Sequence, residues 1–269
     1  MSFYTSLNGM KNAQTDLGVI AHNIANVETT GFKKSVTKFA DVVAGSALSN
    51  PRMIQGVGAT VESISQIFTV GPTEQTGSAL DLAVNGDGFF TTRSASGQTY
   101  YTRNGSFDID GTGYIVDGDQ NRVQGYPVDA NGVPASNTPG DLLIPAANTD
   151  GAEFAGLTIG TDGNVVASYA DGSTITIGKV ALATFISPTG LKQIGSSNWL
   201  ATGLSGPANY GNPSEGRYGY LSSGSLERSN VDIAEELVAL ITAQRNFQAN
   251  AKAIDTATQI SQTVINLRT

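Results

Sequence analysis

The sequence predicts an α+β fold, in which two long terminal helices pair as in a coiled coil and a connector joins them to an antiparallel, turn-rich β domain. Three observations predict it. Of the 32 glycines, 29 lie within residues 41–227 with all nine prolines, whereas residues 228–269 contain neither. Both termini show helical hydrophobic periodicity. The charge divides in the same way, because residues 41–227 sum to −10, residues 1–40 to +2 and residues 228–269 to zero.

The N-terminal segment predicts an amphipathic helix over about residues 3–27. Steps of four and three residues trace a heptad seam with a polar break at Gln14. The seam consists of Phe3, Leu7, Met10, Gln14, Leu17, Ala21 and Ile24. We expect this helix to end before Gly31.

The C-terminal segment predicts a longer helix over 231–268, about 57 Å long at 1.5 Å per residue. Ser229 or Asn230 is expected to be its N-cap, followed by acidic side chains that favour the positive end of the helix dipole. Its seam consists of Ile233, Leu237, Leu240, Gln244, Phe247, Ala251, Ile254, Thr258, Ser261 and Ile265. Further apolar residues widen the stripe at Val238, Ile241, Ile260, Val264 and Leu267.

The two helices have more apolar surface than one short partner helix can cover. We therefore predict that they pair with each other and then with neighbouring copies of the chain. A repeated heterologous contact of this kind gives an open helical filament. The alternative is that both helices only pack on the central domain.

The middle of the chain predicts many short antiparallel strands, because Asn-Gly and Asp-Gly pairs recur between β-branched and aromatic runs. We place the β domain at 76–214, the connector at 31–75 and 215–227, and the assembly domain of terminal helices at 1–30 and 228–269. Residues 41–75 and 204–227 are expected to be irregular and only partly extended.

The composition excludes much chemistry. Without Cys there is no disulfide, thiol nucleophile, iron–sulfur cluster or Cys-type zinc site, and the single His22 excludes a polyhistidine metal site. The net charge of −8 argues against nucleic-acid binding. No apolar run approaches the roughly 20 residues of a membrane span, so membrane insertion is not expected. No cleavable secretory signal is recognisable at the N-terminus.

Two acidic groupings could suggest chemistry. Asp108, Asp110, Asp117 and Asp119 lie close together, as in a calcium loop, but they lack the EF-hand register, and tight turns explain them better. Asp81 and Asp87 could form a glycosidase pair, but spacing alone does not establish the required separation. We therefore predict no enzyme, no cofactor and no metal-ligand set.

One stretch, HNIANVETTGFKKS at residues 22–35, resembles the signature of bacterial flagellar axial proteins of the rod and hook family. The motif residues are Asn23, Ile24, Ala25, Asn26, Thr30, Gly31, Phe32 and Lys33. Three further blocks agree: residues 79–90 with the YYTRNGSFDIDGTGYIVD run that follows, residues 223–254 and residues 263–268. The tail AQRNFQANAKAI looks most like the hook, whereas the short run between Ile144 and Gly156 lacks the large outer-domain insertion that hooks commonly carry.

The resemblance implies a structural subunit that assembles into the tubular flagellar hook and transmits torque from rod to filament, or alternatively a distal rod subunit. It implies the flagellar basal body and hook as location, export by the flagellar type III apparatus without a cleaved signal peptide, and terminal helices that line the channel. The implied partners are further copies of the chain and neighbouring rod, hook-cap and hook–filament junction proteins. A secreted β-domain binding module or adhesin is the alternative from another class. A cell-wall hydrolase would need a constellation that the sequence does not show.

Overall fold

The computed structural model describes residues 2–44, 55–128 and 138–266, and shows two α-helices, a short 3₁₀ helix at Pro188–Gly190 and nineteen strands in them. The α-helices are α1 (Ser2–Ala25) and α2 (Ile233–Asn266). The strands are β1 (Ser35–Ala44), β2 (Gln55–Gln66), β3 (Thr73–Gln75), β4 (Leu82–Asn85), β5 (Phe89–Arg93), β6 (Thr99–Thr102), β7 (Asp108–Ile109), β8 (Ile115–Val116), β9 (Arg122–Pro127), β10 (Gly140–Asp141), β11 (Phe154–Ile159), β12 (Asn164–Tyr169), β13 (Thr174–Val180), β14 (Leu182–Thr184), β15 (Lys192–Gly195), β16 (Asn198–Leu200), β17 (Asn209–Gly211), β18 (Tyr220–Ser223) and β19 (Ser225–Glu227).

The predicted α+β class is wrong, because the described chain is mostly β. The paired terminal helices and the antiparallel domain are present, but the predicted connector at 31–75 contains the two longest strands, and the part expected to be irregular, 41–75, holds all of β2 and the end of β1. Their register is antiparallel from the Ser35–Gln66 pair onwards, with two bulges. Bulges interrupt the alternation of side chains on which a sequence-based strand prediction depends, which is why the ribbon was missed.

The chain divides into two compact units. Unit 1 comprises Met1–Val27, Lys34–Ile67 and Val231–Thr269, and so contains both helices and the β1–β2 ribbon. Unit 2 comprises Glu28–Lys33 and Phe68–Asn230, and contains the remaining strands. No helix in the described residues is long and apolar enough to span a membrane.

Helix α2 begins one residue after its cap. The side-chain oxygen Oδ1 of Asp232 accepts hydrogen bonds from the backbone N–H groups of Ala234 at 2.8 Å and Glu235 at 3.2 Å. These are the second and third residues of the helix, which is the geometry of an N-cap. The cap is therefore Asp232, and not Ser229 or Asn230 as the sequence suggested.

In unit 1, helix α1 lies along the outer edge of strand β2. The Thr5 hydroxyl donates to the carbonyl of Val57 at 3.2 Å, and the Asn12 amide donates to that of Ala59 at 2.8 Å. An uncovered strand edge would present unpaired backbone groups to other chains. Thr5 and Asn12 of α1 therefore satisfy carbonyl groups along this edge of the ribbon.

Unit 2 is built on a 13-stranded antiparallel sheet, whose main path runs β11-β12-β13-β9-β5-β6-β16-β15. Its larger core cluster includes Phe90, Leu142 and Leu182. A second cluster surrounds Trp199, which is fully buried and contacts Phe89 edge to face. The single tryptophan therefore reports on the folding of unit 2, whereas the helical circular dichroism signal reports on unit 1.

The acidic run at 108–119 has a structural role in turns. Asp110 accepts backbone hydrogen bonds from Thr112 and Tyr114, and Asp117 accepts them from Asp119 and Asn121, all at 2.8–2.9 Å. Hydrogen bonds from Thr112 lower the pKa of Asp110. Each carboxylate closes its own loop, as polar side chains commonly do in turns.

Candidate assembly surface

Helices α1 and α2 pack antiparallel in unit 1. Asn23, near the end of α1, hydrogen-bonds Glu236 in the first turn of α2. Near the start of α1, Gly9 meets the middle of α2, since a Cβ at this position would lie 2.5 Å from Oδ1 of Asn250. A side chain at position 9 would therefore have to displace the Asn250 amide.

The face that α2 turns toward α1 is a heptad row, because Glu236 and Asn250 contact α1 and Ala243 lies seven residues from each. The buried or half-buried members of this row are Glu236, Leu240, Ala243, Phe247, Asn250, Ile254 and Ala257. The fully buried apolar residues of α1 are Ala13 and Ile20. Small residues such as Ala13 and Ala243 therefore share the contact with large ones, and the small residues carry little weight in a hydrophobicity pattern.

The predicted seam divides between two environments. Its half-buried members are Leu7, Met10, Leu17 and Ile24 on α1 with Leu240, Phe247 and Ile254 on α2. Its exposed members are Phe3, Ile233, Leu237 and Ile265. The half-buried set on α2 belongs to the row that faces α1, whereas the exposed set leaves apolar surface in contact with solvent.

The outer face of α2 carries four exposed apolar side chains near the start of the helix, which we name the outer patch. It consists of Ile233, Leu237, Val238 and Ile241, between 45% and 66% exposed. Beyond the reach of α1, Ile260 and Ile265 are exposed as well, because α2 has 34 residues and α1 only 24. Such contiguous apolar surface marks an interaction site in soluble proteins.

Asn23 explains the first part of the family motif, because it is buried and fully hydrogen-bonded in unit 1. Its Oδ1 accepts from the N–H of Ser35 at 2.9 Å, and its Nδ2 donates to the carbonyl of Ser35 at 2.9 Å and to Glu236 at 3.1 Å. Glu236 also lies 3.5 Å from the ammonium of Lys34. One amide therefore fixes α1, β1 and α2 together, and a buried polar contact in a helical interface fixes its register.

We expect Asn23→Ala to lower the free energy of unfolding of unit 1 by about 2–4 kcal/mol, because the Ser35 backbone and Glu236 lose their buried partners. Asn23→Asp should be at least as damaging, since it places a second carboxylate beside Glu236. Urea unfolding followed by helical circular dichroism measures the effect. Gln14→Ala is the control, because Gln14 is an exposed polar residue of the same helix. Equal losses for both variants would contradict the assigned role.

The remaining motif residues lie at the end of α1 and in the segment that follows this helix. Ile24 is half-buried and Ala25 exposed, and in unit 2 the carbonyl of Thr30 accepts a hydrogen bond from the Ser197 hydroxyl at 2.9 Å. Phe32 is only 3% exposed. Gly31 has a φ of +68°, and its N–H donates to the carbonyl of Glu227 at 2.8 Å.

Lys33, the last motif residue, belongs to a buried charge cluster in unit 2. Its ammonium contacts Oε1 of Glu227 and donates to the carbonyl of Thr69 at 2.8 Å. Oε2 of Glu227 accepts from Arg103 at 3.2 Å, so one carboxylate serves two cations. The side chains of Lys33 and Glu227 have no exposed surface. Burial lowers the pKa of Lys33, although the Glu227 carboxylate opposes the shift.

Gly31→Ala is expected to destabilise unit 2 by about 2–4 kcal/mol, combining left-handed backbone strain with overpacking. The added Cβ would lie 2.5 Å from the backbone nitrogen of Asn104. Gly118→Ala is the matched control, because nothing lies within 4 Å of its Cβ position and its φ is not positive. The measurement is urea unfolding monitored by Trp199 fluorescence, and equal midpoints for both variants would refute the packing argument.

Comparison with known proteins agrees with these features along the chain. Residues 3–33 match the family described as "Flagella basal body rod protein". Residues 83–167 match "Flagellar hook protein FlgE/F/G D1 domain", and residues 222–267 match "Flagellar basal body rod FlgEFG protein C-terminal".

Individual relatives span the whole chain. The flagellar basal-body rod protein FlgG of Bacillus subtilis is 41% identical over 280 residues, covering 99% of this chain and 98% of that protein. The FlgG of Caulobacter vibrioides is 37% identical over 278 residues, with 98% of each chain covered. The flagellar hook protein FlgE of Escherichia coli is 28% identical over 411 residues, with 100% of each covered. This chain therefore belongs to the flagellar rod and hook family of axial structural proteins, which are not enzymes.

Proposed function

We propose that this chain is a distal rod subunit of the flagellar basal body, which polymerises with further copies of itself through its terminal helices. The alignment to the rod protein of B. subtilis carries the proposal, because 280 aligned residues nearly equal the 269 of this chain. The alignment to the hook protein spans 411 residues and must cross a long gap. The expectation of a hook thus gives way to the rod alternative.

The β domain supports the same choice. Only residues 142–153 separate β10 from β11, and this interval is too short to contain an outer domain. The hook-like tail that favoured the hook lies in α2, where the matched family description covers rod and hook proteins together. The tail motif therefore does not discriminate between them, whereas the missing insertion does.

The distribution of charge favours contacts between copies through unit 1. Its segments contain seven basic and seven acidic residues, whereas those of unit 2 contain eight basic and sixteen acidic residues and so hold the whole net charge of −8. Copies can therefore meet through unit 1 without net repulsion between the units in contact. The predicted seam remains the proposed assembly site, with its exposed members making the contacts between copies.

The same proposal includes location and delivery. The chain would reach the basal body through the flagellar type III export apparatus without a cleaved signal peptide, and would meet rod and hook subunits at the two ends of its polymer. The absence of Cys suits a chain that is exported unfolded, because no disulfide has to be broken.

Electron microscopy of basal bodies from a strain that lacks this chain tests the proposal. We expect truncated rods without hooks, and restoration of the rod when the chain is supplied again. Complete rods that lack only hooks would overturn the proposal in favour of a hook subunit. Intact rods and hooks would exclude both.

A further inference from the structure

The β1–β2 ribbon exposes an apolar face, which we name the ribbon patch. Alternate residues of a strand share a face and directly paired residues share it too, so Phe39, Asp41 and Val43 lie on one side with Val61, the partner of Phe39. Ile64 pairs with Thr37 and joins the same side. Phe39, Val43 and Ile64 are 44%, 53% and 52% exposed, and Val61 is half-buried.

Phe39, Asp41, Val43 and Ile64 have no cover within the described part of unit 1, whereas Thr37 on the same side of β1 is buried. Helix α1 reaches the ribbon along the edge of β2, through Thr5 and Asn12, and leaves these side chains exposed. A two-stranded ribbon is only marginally stable alone. Exposure of Phe39, Val43 and Ile64 to water costs free energy that burial against another surface would recover. The ribbon patch therefore needs a partner surface that is apolar and carries a positive charge, because the exposed Asp41 lies within it.

The outer patch of α2 has these properties. Arg245 follows Ile241 by four residues and Leu237 by eight, so it lies on the same side of the helix as the patch. Arg245 and Asp41 are both exposed, and neither makes an ion pair with any other residue that the structure describes. Each apolar patch thus carries one charge without an ion-pair partner among the described residues, and the two charges are opposite.

We propose that the ribbon patch of one copy docks on the outer patch of α2 in a second copy, with Asp41 paired to Arg245. The inference rests on the proposed self-assembly and assigns it a specific contact. Because the two surfaces differ, the contact is heterologous and leaves each copy with one free surface of either kind, so it propagates. The ribbon, which the sequence offered no reason to include, becomes half of the assembly interface.

Charge reversal tests this contact with the purified full chain, using sedimentation to measure the critical concentration for assembly. Asp41→Arg and Arg245→Asp should each raise it by about tenfold or more, because like charges then face each other. An equimolar mixture of the two variants should assemble better than either variant alone, since copies with Asp41→Arg can dock on copies with Arg245→Asp through a pair of reversed sign. The double variant should assemble nearly as well as the unsubstituted chain, because every contact then carries the reversed pair.

Three results would overturn the proposal. Unchanged assembly of both single variants would show that Asp41 and Arg245 do not pair. Rescue by the double variant without any rescue by the mixture would show that they pair within one chain. An equal loss for Lys38→Glu would show a general charge effect, because Lys38 lies on the opposite face of β1.

Chemical cross-linking tests the contact without requiring long polymers. Failure of the purified chain to polymerise would count against the proposed function and not against this contact. The native chain has no Cys, so Asp41→Cys combined with Arg245→Cys supplies the only thiols. A short bis-maleimide reagent should convert this double variant at high concentration into a ladder of covalent oligomers. Each single Cys variant can give no species larger than a dimer. A double variant that also stops at dimers would refute the head-to-tail contact.

Discussion

Replacing Leu237 and Val238 together by Asp is expected to abolish assembly of the purified chain while its β domain stays folded. Both side chains lie in the outer patch, 45% and 66% exposed, so the isolated chain does not depend on them for its core. Burying each between copies contributes about 1.5–3 kcal/mol, and at 1.4 kcal/mol per factor of ten their loss raises the critical concentration by at least about 100-fold. The buried carboxylates would add to that effect.

The measurement is sedimentation across a concentration series, with Trp199 fluorescence as a check that unit 2 remains folded. Ala253→Asp is the matched control, because Ala253 is also exposed on α2 but lies outside the outer patch. It should assemble nearly as the unsubstituted chain does. Normal polymerisation of the Leu237 and Val238 double variant would show that the outer patch is not an assembly surface.

The structure also changes which seam positions are informative. Leu240 and Phe247 lie in the row of α2 that faces α1, so Asp at either position would disturb the fold of unit 1 as well as any contact between copies. Loss of assembly in such variants would therefore not separate the two causes. Substitutions at the exposed positions do separate loss of the fold from loss of contacts between copies.

Glu227→Gln is expected to lower the free energy of unfolding of unit 2 by about 3–5 kcal/mol, because it leaves two buried cations without a counter-charge. Glu227 is the only carboxylate that contacts Lys33 and Arg103 in the described ion pairs. It also accepts the backbone N–H of Gly71 at 2.9 Å, so its loss affects three neighbouring segments. Urea unfolding followed by Trp199 fluorescence measures the change.

The pH dependence separates charge from packing. Burial already lowers the pKa of Lys33 below its ordinary value of 10.5, and removing Glu227 removes an opposing influence. Between the lowered pKa and 10.5 the unfolded chain binds more protons, so stability rises with pH in this window. The deficit of Glu227→Gln relative to the unsubstituted chain should therefore shrink as the pH rises towards 10.5.

Two comparisons make this test decisive. Glu74→Gln removes a carboxylate that is 59% exposed and lies 3.5 Å from Arg228, and it should change stability little. A loss for Glu227→Gln that is equally small, or that does not vary with pH, would contradict the role of the cluster. Lys33→Met should cost less than Glu227→Gln, because it leaves the Arg103–Glu227 pair intact.

The sequence could predict the terminal helices and the turn-rich character of the middle because these depend on local rules. Heptad periodicity predicted helices over 3–27 and 231–268, and the observed helices cover Ser2–Ala25 and Ile233–Asn266. It could not predict that small residues such as Gly9 and Ala243 would line the contact between them. Hydrophobicity patterns score large side chains, whereas the space between two packed helices also admits small ones.

The sequence by itself determined the membership of the rod and hook family, the acidic turn-rich body and the nearly neutral helical ends, because motifs, composition and periodicity are local properties of the chain. Only the tertiary structure decided the mostly β class, through the pairing of β1 with β2, and the assignment of Lys33 to a buried cluster with Arg103 and Glu227. The tertiary structure alone also distinguishes the heptad row of α2 that faces α1 from the outer patch. These features join residues far apart in the chain, and such partners are fixed by packing.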